Sequence, residues 1–332
     1  MTSNCCQPSA PPVSLPISDA DLAEARRIYR WLSFLPRFRG PLLLSRGMQA
    51  LLKLSAPQAD RRLRARGFRV EHRSINGAGR TGRVRIIHPP TESRGVLFDV
   101  HGGGWVLGIP AQNDAANALI AEECRVTIVS PEYRFVRPGR SPISACIDDC
   151  ESAALWLLQN QGAEDLARQP VLISGDSAGA HLALCTLLRL RDGHPSVFQQ
   201  VNGALLRYGL YDFSGTPSVR HADSSALILH GPTLVRGLAS LTPDLDEAAR
   251  KLPALSPLYA DLRGLPPALL VTGEADPLRD DTLLLAERWE AAGNAAELVR
   301  VPEAPHAFDR LPTRIASHMG AHIRSWISGQ LA

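Results

Sequence analysis

From about residue 95 onward, the chain alternates short apolar segments with helical patterns. Each of the six segments is almost continuously apolar: GVLFDV, VTIVS, VLIS, ALLRY, ALLVT and ELVRV. Strands that are buried on both faces of a sheet have this pattern, and helices between them indicate parallel pairing with right-handed crossovers. We therefore predict an α/β fold with a mostly parallel central sheet and helices on both faces. The six segments begin at Gly95, Val126, Val171, Ala204, Ala268 and Glu297.

Two earlier segments, FRVEHRSI from Phe68 and RVRIIH from Arg83, alternate polar and apolar residues. This alternation predicts an antiparallel pair of strands and makes the sheet mixed. Further upstream, Ser18 is a favourable N-cap for a helix that continues to Pro36. A second helix is expected from about residue 41 to residue 54.

The two N-terminal helices carry large apolar side chains, which must cover another part of the protein. We therefore predict that residues 18–60 form cap helices over a main domain at 61–332. A second part of this cap is expected at about 211–258, where Ser, Pro and Leu interrupt the alternation of strands and helices. The Pro- and Ser-rich residues 1–17 are predicted to be a disordered leader. The apolar cap residues are Trp31, Phe34, Leu35, Leu42, Leu43, Leu44 and Leu51.

Composition narrows the possible partners and compartments. The 332 residues, 45% hydrophobic, suffice for one large domain with a cap, and a net charge of +3 gives no reason to expect a nucleic-acid partner. The arginine-rich residues 61–69 are interpreted as a solvated helix face, with a weak anionic contact surface as the alternative. No stretch approaches the ~18 apolar residues of a membrane span, and no signal peptide is recognisable. We therefore expect a cytoplasmic protein without an integral membrane segment. Its six cysteines lack CxxC spacing, and we expect them to be free thiols.

The segment VLISGDSAGAHLALCTLL places a G-x-S-x-G sequence between a strand and a helix. Ser177 would occupy a strained turn that exposes its hydroxyl, and Gly175 and Gly179 would avoid steric clashes with the neighbouring strand and helix. In this context we predict that Ser177 is a nucleophile. An ordinary tight turn is the alternative.

A serine nucleophile needs a histidine base that is oriented by a carboxylate, in the chain order Ser, Asp or Glu, His. Asp276 follows the strand ALLVT, and His306 follows the strand ELVRV. Both residues should therefore lie at the same sheet edge as Ser177, beyond the carboxyl ends of the strands. We predict a catalytic triad of Ser177, Asp276 and His306.

Several other residues compete for these roles. Glu274 is the main rival to Asp276, whereas Asp280 and Asp281 are expected to be helix-cap or surface residues. The i, i+4 spacing of two histidines on the last helix would suit a metal ion, but no third ligand is evident, so no metal site is predicted. The other two histidine candidates lie on or after the helix that follows Ser177, so they lack the loop position that a base needs. The pair on the last helix is His318 and His322, and the pair near Ser177 is His181 and His194.

The glycines of HGGGWVLG, residues 101–108, provide a second part of the site. Attack on an ester carbonyl creates an oxyanion, and glycine allows backbone N–H groups to come close enough to stabilise it. We assign Gly103, Gly104 and Ala178 as oxyanion-hole donors and His101 as a structural anchor. A phosphate cradle is disfavoured because no Lys-Ser/Thr pair follows the glycines.

From about residue 68 to the end, the chain resembles the hormone-sensitive-lipase-like esterases, or bacterial esterase family IV. The motifs HGGGWVLG, GDSAGAHLA, ADPLRDD and APHAF occur in the family's order and spacing, and RYGLYDF and SPLY make the chain most similar to the bacterial acetyl esterases. The resemblance implies an α/β-hydrolase fold with an N-terminal helical cap and cofactor-free hydrolysis of short-chain esters. Two departures are Ala180, where the family usually has glycine, and the segment after Tyr133, which lacks the usual Pro-Glu pair and so affects the expected pocket shape.

These features predict a serine carboxylesterase for small-molecule esters, acting on acetyl to butyryl groups through an acyl-enzyme. Trp105 and Phe213 are expected to narrow its substrate pocket, and a homodimer is possible. The same triad could instead hydrolyse an amide, lactone or carbamate. A non-catalytic small-molecule receptor on this fold is the other alternative, disfavoured because such receptors lack the catalytic histidine that His306 provides here.

Overall fold

The computed structural model describes residues 13–38, 43–77, 80–159, 166 and 169–332. Eight strands form one sheet in the order β1-β2-β4-β3-β5-β6-β7-β8. The strands are β1 (Arg69–Gly77), β2 (Arg80–His88), β3 (Gly95–Val100), β4 (Val126–Pro131), β5 (Val171–Asp176), β6 (Val201–Arg207), β7 (Ala268–Gly273) and β8 (Ala296–Val301). The pairs β1–β2 and β2–β4 are antiparallel and all others are parallel, so the predicted mixed α/β sheet is confirmed.

Helices cover both faces of this sheet, as predicted. Along β3, Val96 and Phe98 face one apolar core, which α4, α5 and α10 complete, whereas Leu97 faces the other, which α1, α3 and α11 complete. The helices of the described residues are α1 (Asp19–Leu32), α2 (Leu43–Ala65), α3 (Asp114–Cys124), α4 (Ile143–Leu158), α5 (Ala178–Gly193), α6 (Pro195–Phe198), α7 (Pro217–Arg220), α8 (Leu234–Leu241), α9 (Glu247–Arg250), α10 (Arg279–Ala291) and α11 (Arg314–Gln330).

The N-terminal helices differ from the prediction in their packing. Helix α1 contacts α11 through its buried face, which includes Ala25 and Tyr29. Trp31, Phe34, Leu35 and Leu51, which were expected to cover another part of the protein, are instead exposed. Leu42 and the side chains of Leu43 and Leu44 lie outside the described residues. Helix α2 continues to residue 65, beyond the predicted end at 54 and through an internal proline.

Residues 1–12 of the predicted leader lie outside the described residues. The disorder predicted for residues 13–17 is wrong, because this segment is anchored. Val13 donates a backbone hydrogen bond of 2.9 Å to the carbonyl of Leu298 in β8, and Leu15 is buried in the core. The division into leader, cap and main domain otherwise stays a prediction.

The chain between β6 and β7 contains α7, α8 and α9 and includes the predicted insertion at 211–258. It pairs with the N-terminal segment at one point. The Phe38 amide donates to the carbonyl of Ile228 at 2.6 Å, and the His230 amide donates to the carbonyl of Phe38 at 2.8 Å. The two parts of the predicted cap are therefore hydrogen-bonded to each other. No helix among the described residues is both long and apolar enough to cross a membrane.

Candidate active site

Ser177 lies on the sharp turn between β5 and α5, with φ 54° and ψ −122°. This positive φ is unusual for a residue with a side chain, and such strain concentrates at functional sites. The two glycines of the motif are required by close packing. A Cβ on Gly175 would collide with the carbonyl of Gly179, and a Cβ on Gly179 would collide with the carbonyl of Val100. The turn therefore needs glycine at both positions.

The structure brings Ser177, His306 and Asp276 together at the carboxyl edge of the sheet. The distance from Ser177 Oγ to His306 Nε2 is 2.9 Å, and that from His306 Nδ1 to Asp276 Oδ2 is 2.8 Å. An ionised carboxylate only accepts hydrogen bonds, so Nδ1–H donates to Asp276 and Nε2 is left to accept the serine proton. The other oxygen of Asp276 accepts the amide of Leu278 at 2.8 Å, which fixes the carboxylate. The arrangement can activate a hydroxyl nucleophile.

The rival carboxylates have other partners. Glu274 accepts from Arg300 Nε at 2.6 Å, and Asp280 accepts the amide of Ser218 at 2.9 Å. Asp281 is fully buried and accepts the amide of Tyr211 at 2.6 Å, so its expected helix-cap or surface position is wrong. Burial raises the pKa of Asp281 to about 7. Of the four carboxylates, only Asp276 reaches His306.

The other candidate histidines are also bound elsewhere. His181 Nε2 donates to the carbonyl of Leu255 at 2.8 Å, and its Nδ1 accepts from Trp105 Nε1 at 3.2 Å. Burial lowers the pKa of His181 to about 4, so it is neutral at pH 7. His318 and His322 face different carboxylates. Among the described residues, no group of three or more His, Cys, Asp or Glu could hold a metal ion.

Gly103 and Gly104 form the turn that follows β3, with φ values of +124° and +61°. A Cβ on Gly103 would collide with the carbonyl of Leu107, so glycine is needed there. Neither amide has a hydrogen-bond acceptor within the described part of the chain. Ala178 is the first residue of α5, where a helix leaves its amides without an intrahelical partner. The structure thus leaves all three predicted donors available for an anionic oxygen.

His101 anchors the glycine loop, in agreement with its expected structural role. Its ring is buried and stacks on Tyr133 with 4.5 Å between ring centroids, and the Tyr133 hydroxyl donates to the His101 carbonyl at 2.8 Å. Burial lowers the pKa of His101 and keeps the ring neutral. The segment after Tyr133, which lacks the family's usual Pro-Glu pair, does not line the cavity at Ser177. Its altered sequence therefore does not shape that cavity directly.

Ser177 and His306 open into an apolar cavity of about 270 Å³. Trp105 lines this cavity, as predicted. Phe213 does not: it is buried behind Trp105, with 4.8 Å between the ring centroids, so the prediction that it narrows the pocket is wrong. The predicted cap contributes Phe38 to the wall. The other cap residues along it are Met48, Ile228, Leu229, Thr233, Leu234, Gly237, Leu238 and Leu241.

A charge network next to the nucleophile, in which Asp176 and Arg207 are buried and Arg310 is exposed, was not foreseen from the sequence. Arg310 Nη2 lies 2.7 Å from Asp176 Oδ2, and Arg207 Nη1 lies 2.9 Å from Asp309 Oδ2. Burial alone would raise the pKa of Asp176, but the charges of Arg310 and Arg207 outweigh it and lower this pKa. The network ties the loop after His306 to the turn of Ser177. The only sign of this network in the sequence is the aspartate of GDSAG, Asp176, and the motif does not identify its arginine partners.

Comparison with known proteins places residues 97–310 in a family described as having the alpha/beta hydrolase fold. Carboxylesterase NlhH of Mycobacterium tuberculosis is 35% identical over 252 residues, which cover 73% of this chain and 76% of the relative. The chain belongs to the α/β hydrolases, among the hormone-sensitive-lipase-like esterases of family IV.

Two further matches agree with this assignment. An acetyl esterase of Salmonella schwarzengrund is 31% identical over 233 residues, covering 68% of each chain. A solved hormone-sensitive lipase from a metagenome library superimposes with a TM-score of 0.70 at 25% identity, covering 93% of this chain and 98% of the other. The α/β-hydrolase fold expected from the resemblance is thereby confirmed.

Proposed function

We propose that this carboxylic ester hydrolase is a serine esterase that cleaves short-chain acyl esters through an acyl-enzyme. The observation that carries this proposal is the hydrogen-bonded series from Ser177 through His306 to Asp276. It opens into a small apolar cavity beside the amides of Gly103 and Gly104. The names of the relatives, a carboxylesterase and an acetyl esterase, support the same activity.

The geometry supports the following sequence of events. His306 Nε2 accepts the proton of Ser177 Oγ as this oxygen attacks the ester carbonyl. The carbonyl oxygen becomes an oxyanion and accepts hydrogen bonds from the amides of Gly103, Gly104 and Ala178. The alkoxide then leaves with the proton that His306 donates, and a water molecule repeats the steps to release the acid. Asp276 holds the imidazole tautomer and stabilises its charged form.

The preference for acetyl to butyryl groups follows from the size of the cavity. A volume of about 270 Å³ must hold both sides of the ester, and the Trp105 indole lines part of its wall. That indole is fixed by its hydrogen bond to His181, so its movement would break a buried contact. A long acyl chain would have to displace it or extend out of the cavity.

Ser177→Ala tests the chemistry. We expect kcat on p-nitrophenyl acetate to fall by roughly six orders of magnitude, because removal of a triad nucleophile has effects of that size. Ser225→Ala is a matched control, since Ser225 is exposed and bonds only Asp223 among the described residues. Near-wild-type activity of Ser177→Ala would disprove the proposal.

The acyl preference is tested separately with p-nitrophenyl acetate, butyrate, octanoate and decanoate. We expect kcat/KM to be highest for acetate or butyrate, and a maximum beyond octanoate would exclude the short-chain assignment. Hydrolysis of matched anilides or lactones at higher kcat/KM would transfer the assignment to another acyl bond. The cytoplasmic location and the homodimer stay predictions.

A further inference from the structure

The N-terminal helices expose apolar side chains to an unusual degree. The five most exposed large apolar side chains of the described residues are Phe34 (81%), Leu54 (77%), Trp31 (76%), Leu51 (68%) and Leu35 (59%). All of them lie in or next to α1 and α2. Trp31 and Phe34 contact each other edge-to-face, with 6.5 Å between ring centroids. The Trp31–Phe34 pair, which Leu35 follows directly in the chain, is a contiguous exposed apolar group of the kind that marks interaction sites. We call these five residues the apolar tip.

The apolar tip is not needed to hold the helices in place. Helix α1 is anchored on its other side, where Ala25 and Tyr29 are buried. Two ion pairs add to this anchor. Arg314 Nε lies 3.0 Å from Asp21 Oδ1, and Arg26 donates two hydrogen bonds to the carboxylate of Glu303. The exposed aromatic rings therefore cost hydration free energy without contributing to the packing of the monomer.

The same helices carry an excess of positive charge. Residues 19–65 contain ten Lys and Arg against four Asp and Glu, whereas the chain as a whole has a net charge of only +3. Asp21, Glu24 and Asp60 are each paired with an arginine outside this segment. Five other exposed cations of this segment, in contrast, have no carboxylate within ion-pair distance among the described residues. These cations are Arg27, Arg30, Lys53, Arg61 and Arg62.

We propose that the apolar tip and the exposed cations of the same two helices dock the enzyme on an anionic lipid bilayer. Trp, Phe and Leu beside exposed Lys and Arg is the composition of protein segments that bind at a bilayer interface. A second copy of this chain would fit less well, because a two-fold contact would place two strongly basic surfaces against each other. A soluble polyanion would match the cations but would leave the apolar side chains exposed.

The position of the tip gives this docking a use. Phe38 and Met48 both line the active-site cavity, and in the chain they lie between the exposed residues of α1 and those of α2. A docked enzyme would therefore present the Phe38 and Met48 side of its cavity to the bilayer, where apolar esters concentrate. This advantage rests on the proposed esterase function, whereas the docking itself does not.

Sedimentation with lipid vesicles tests the docking. The protein should bind vesicles of phosphatidylcholine with ~30 mol% phosphatidylserine and should not bind pure phosphatidylcholine vesicles. Binding should weaken as ionic strength rises, because salt screens the exposed cations. Trp31→Ser/Phe34→Ser/Leu54→Ser should reduce the bound fraction about tenfold or more, because it removes the buried apolar area. The Ser177→Ala protein should bind like the wild type, which separates docking from catalysis.

Leu252→Ser is the matched control, since Leu252 is 58% exposed but lies outside the N-terminal helices. The triple variant should keep its activity on p-nitrophenyl acetate, because none of its three positions lines the cavity. Absence of vesicle binding by the wild type, or equal binding by the triple variant, would overturn the proposal. A wild-type dimer that the triple variant converts to a monomer would also overturn it and assign the tip to a second copy.

Discussion

The carboxyl edge of the sheet and the N-terminal helices differ in how far their side chains are buried. At the sheet edge, Asp276 and His306 are almost completely buried, and each has a hydrogen-bond partner. On the helices, Trp31, Phe34 and Leu54 are largely exposed. Catalysis needs groups that are held in place, and the sheet provides this. A contact surface for another body must remain uncovered in the free protein, and the proposed bilayer docking requires this of the exposed apolar side chains.

Substitution of Asp276 should give the largest effect at the buried site. We expect Asp276→Asn to lower kcat by about 10⁴-fold, because the amide no longer holds the imidazole in the required tautomer. Glu274→Gln is the matched control and should change kcat by less than ~2-fold, since it breaks only a surface ion pair with Arg300. Steady-state kinetics on p-nitrophenyl acetate measures both variants. Equal losses in the two would contradict the assignment of Asp276.

Two tryptophans give the sharpest contrast between core and surface. Trp289 is fully buried and donates to the carbonyl of Pro266, so Trp289→Ala should lower the free energy of unfolding by about 3–5 kcal/mol. Trp31→Ala should change it by less than ~0.5 kcal/mol, because the ring is exposed. Urea unfolding measures both values. A large destabilisation by Trp31→Ala would mean that the apolar tip serves the fold rather than a partner.

Gly103→Ala probes the oxyanion loop. The new Cβ would collide with the carbonyl of Leu107 and displace the amide, so kcat should fall by about 10²–10³-fold, the size of effect seen when an oxyanion donor is lost. Gly193→Ala, where a Cβ would meet open space, is the control and should retain activity. Unchanged kcat in folded Gly103→Ala would remove this amide from the site.

The buried ring of His181 makes the stability of the folded protein depend on pH. Burial lowers its folded-state pKa to about 4, whereas an unfolded histidine has a pKa of about 6.5. Between these values only the unfolded chain binds the proton, so stability falls as the pH decreases, by up to about 3 kcal/mol in total. His181→Gln should flatten this slope in urea unfolding between pH 7 and 4. The exposed His221→Gln should not flatten it, and an unchanged slope in His181→Gln would contradict this origin.

The same contrast explains which features could be predicted from the sequence. Each strand of the sheet is buried by its own neighbours, so apolar segments such as those of β3 and β5 predicted it directly. The positions of Ser177, Asp276 and His306 then followed, because the carboxyl ends of parallel strands share one edge.

Where a side chain is covered by something outside its own segment, the pattern was insufficient. Trp31 and Phe34 look like core residues in sequence, and only the structure shows that nothing in the described chain covers them. The predictions for Phe213 and Asp281 were wrong for the converse reason, since contacts with distant residues bury both side chains. The pairing of Arg310 with Asp176 joins residues that are 134 positions apart, and no local pattern reports it.

The central claim is that the hydroxyl of Ser177 is activated by His306. Treatment with a fluorophosphonate probe, followed by peptide mass spectrometry, tests it most directly, because the probe reacts with an activated serine. We predict one adduct, on the peptide that contains Ser177, and its loss in both Ser177→Ala and His306→Ala. An adduct on another residue, or undiminished labelling of Ser177 without His306, would contradict the account.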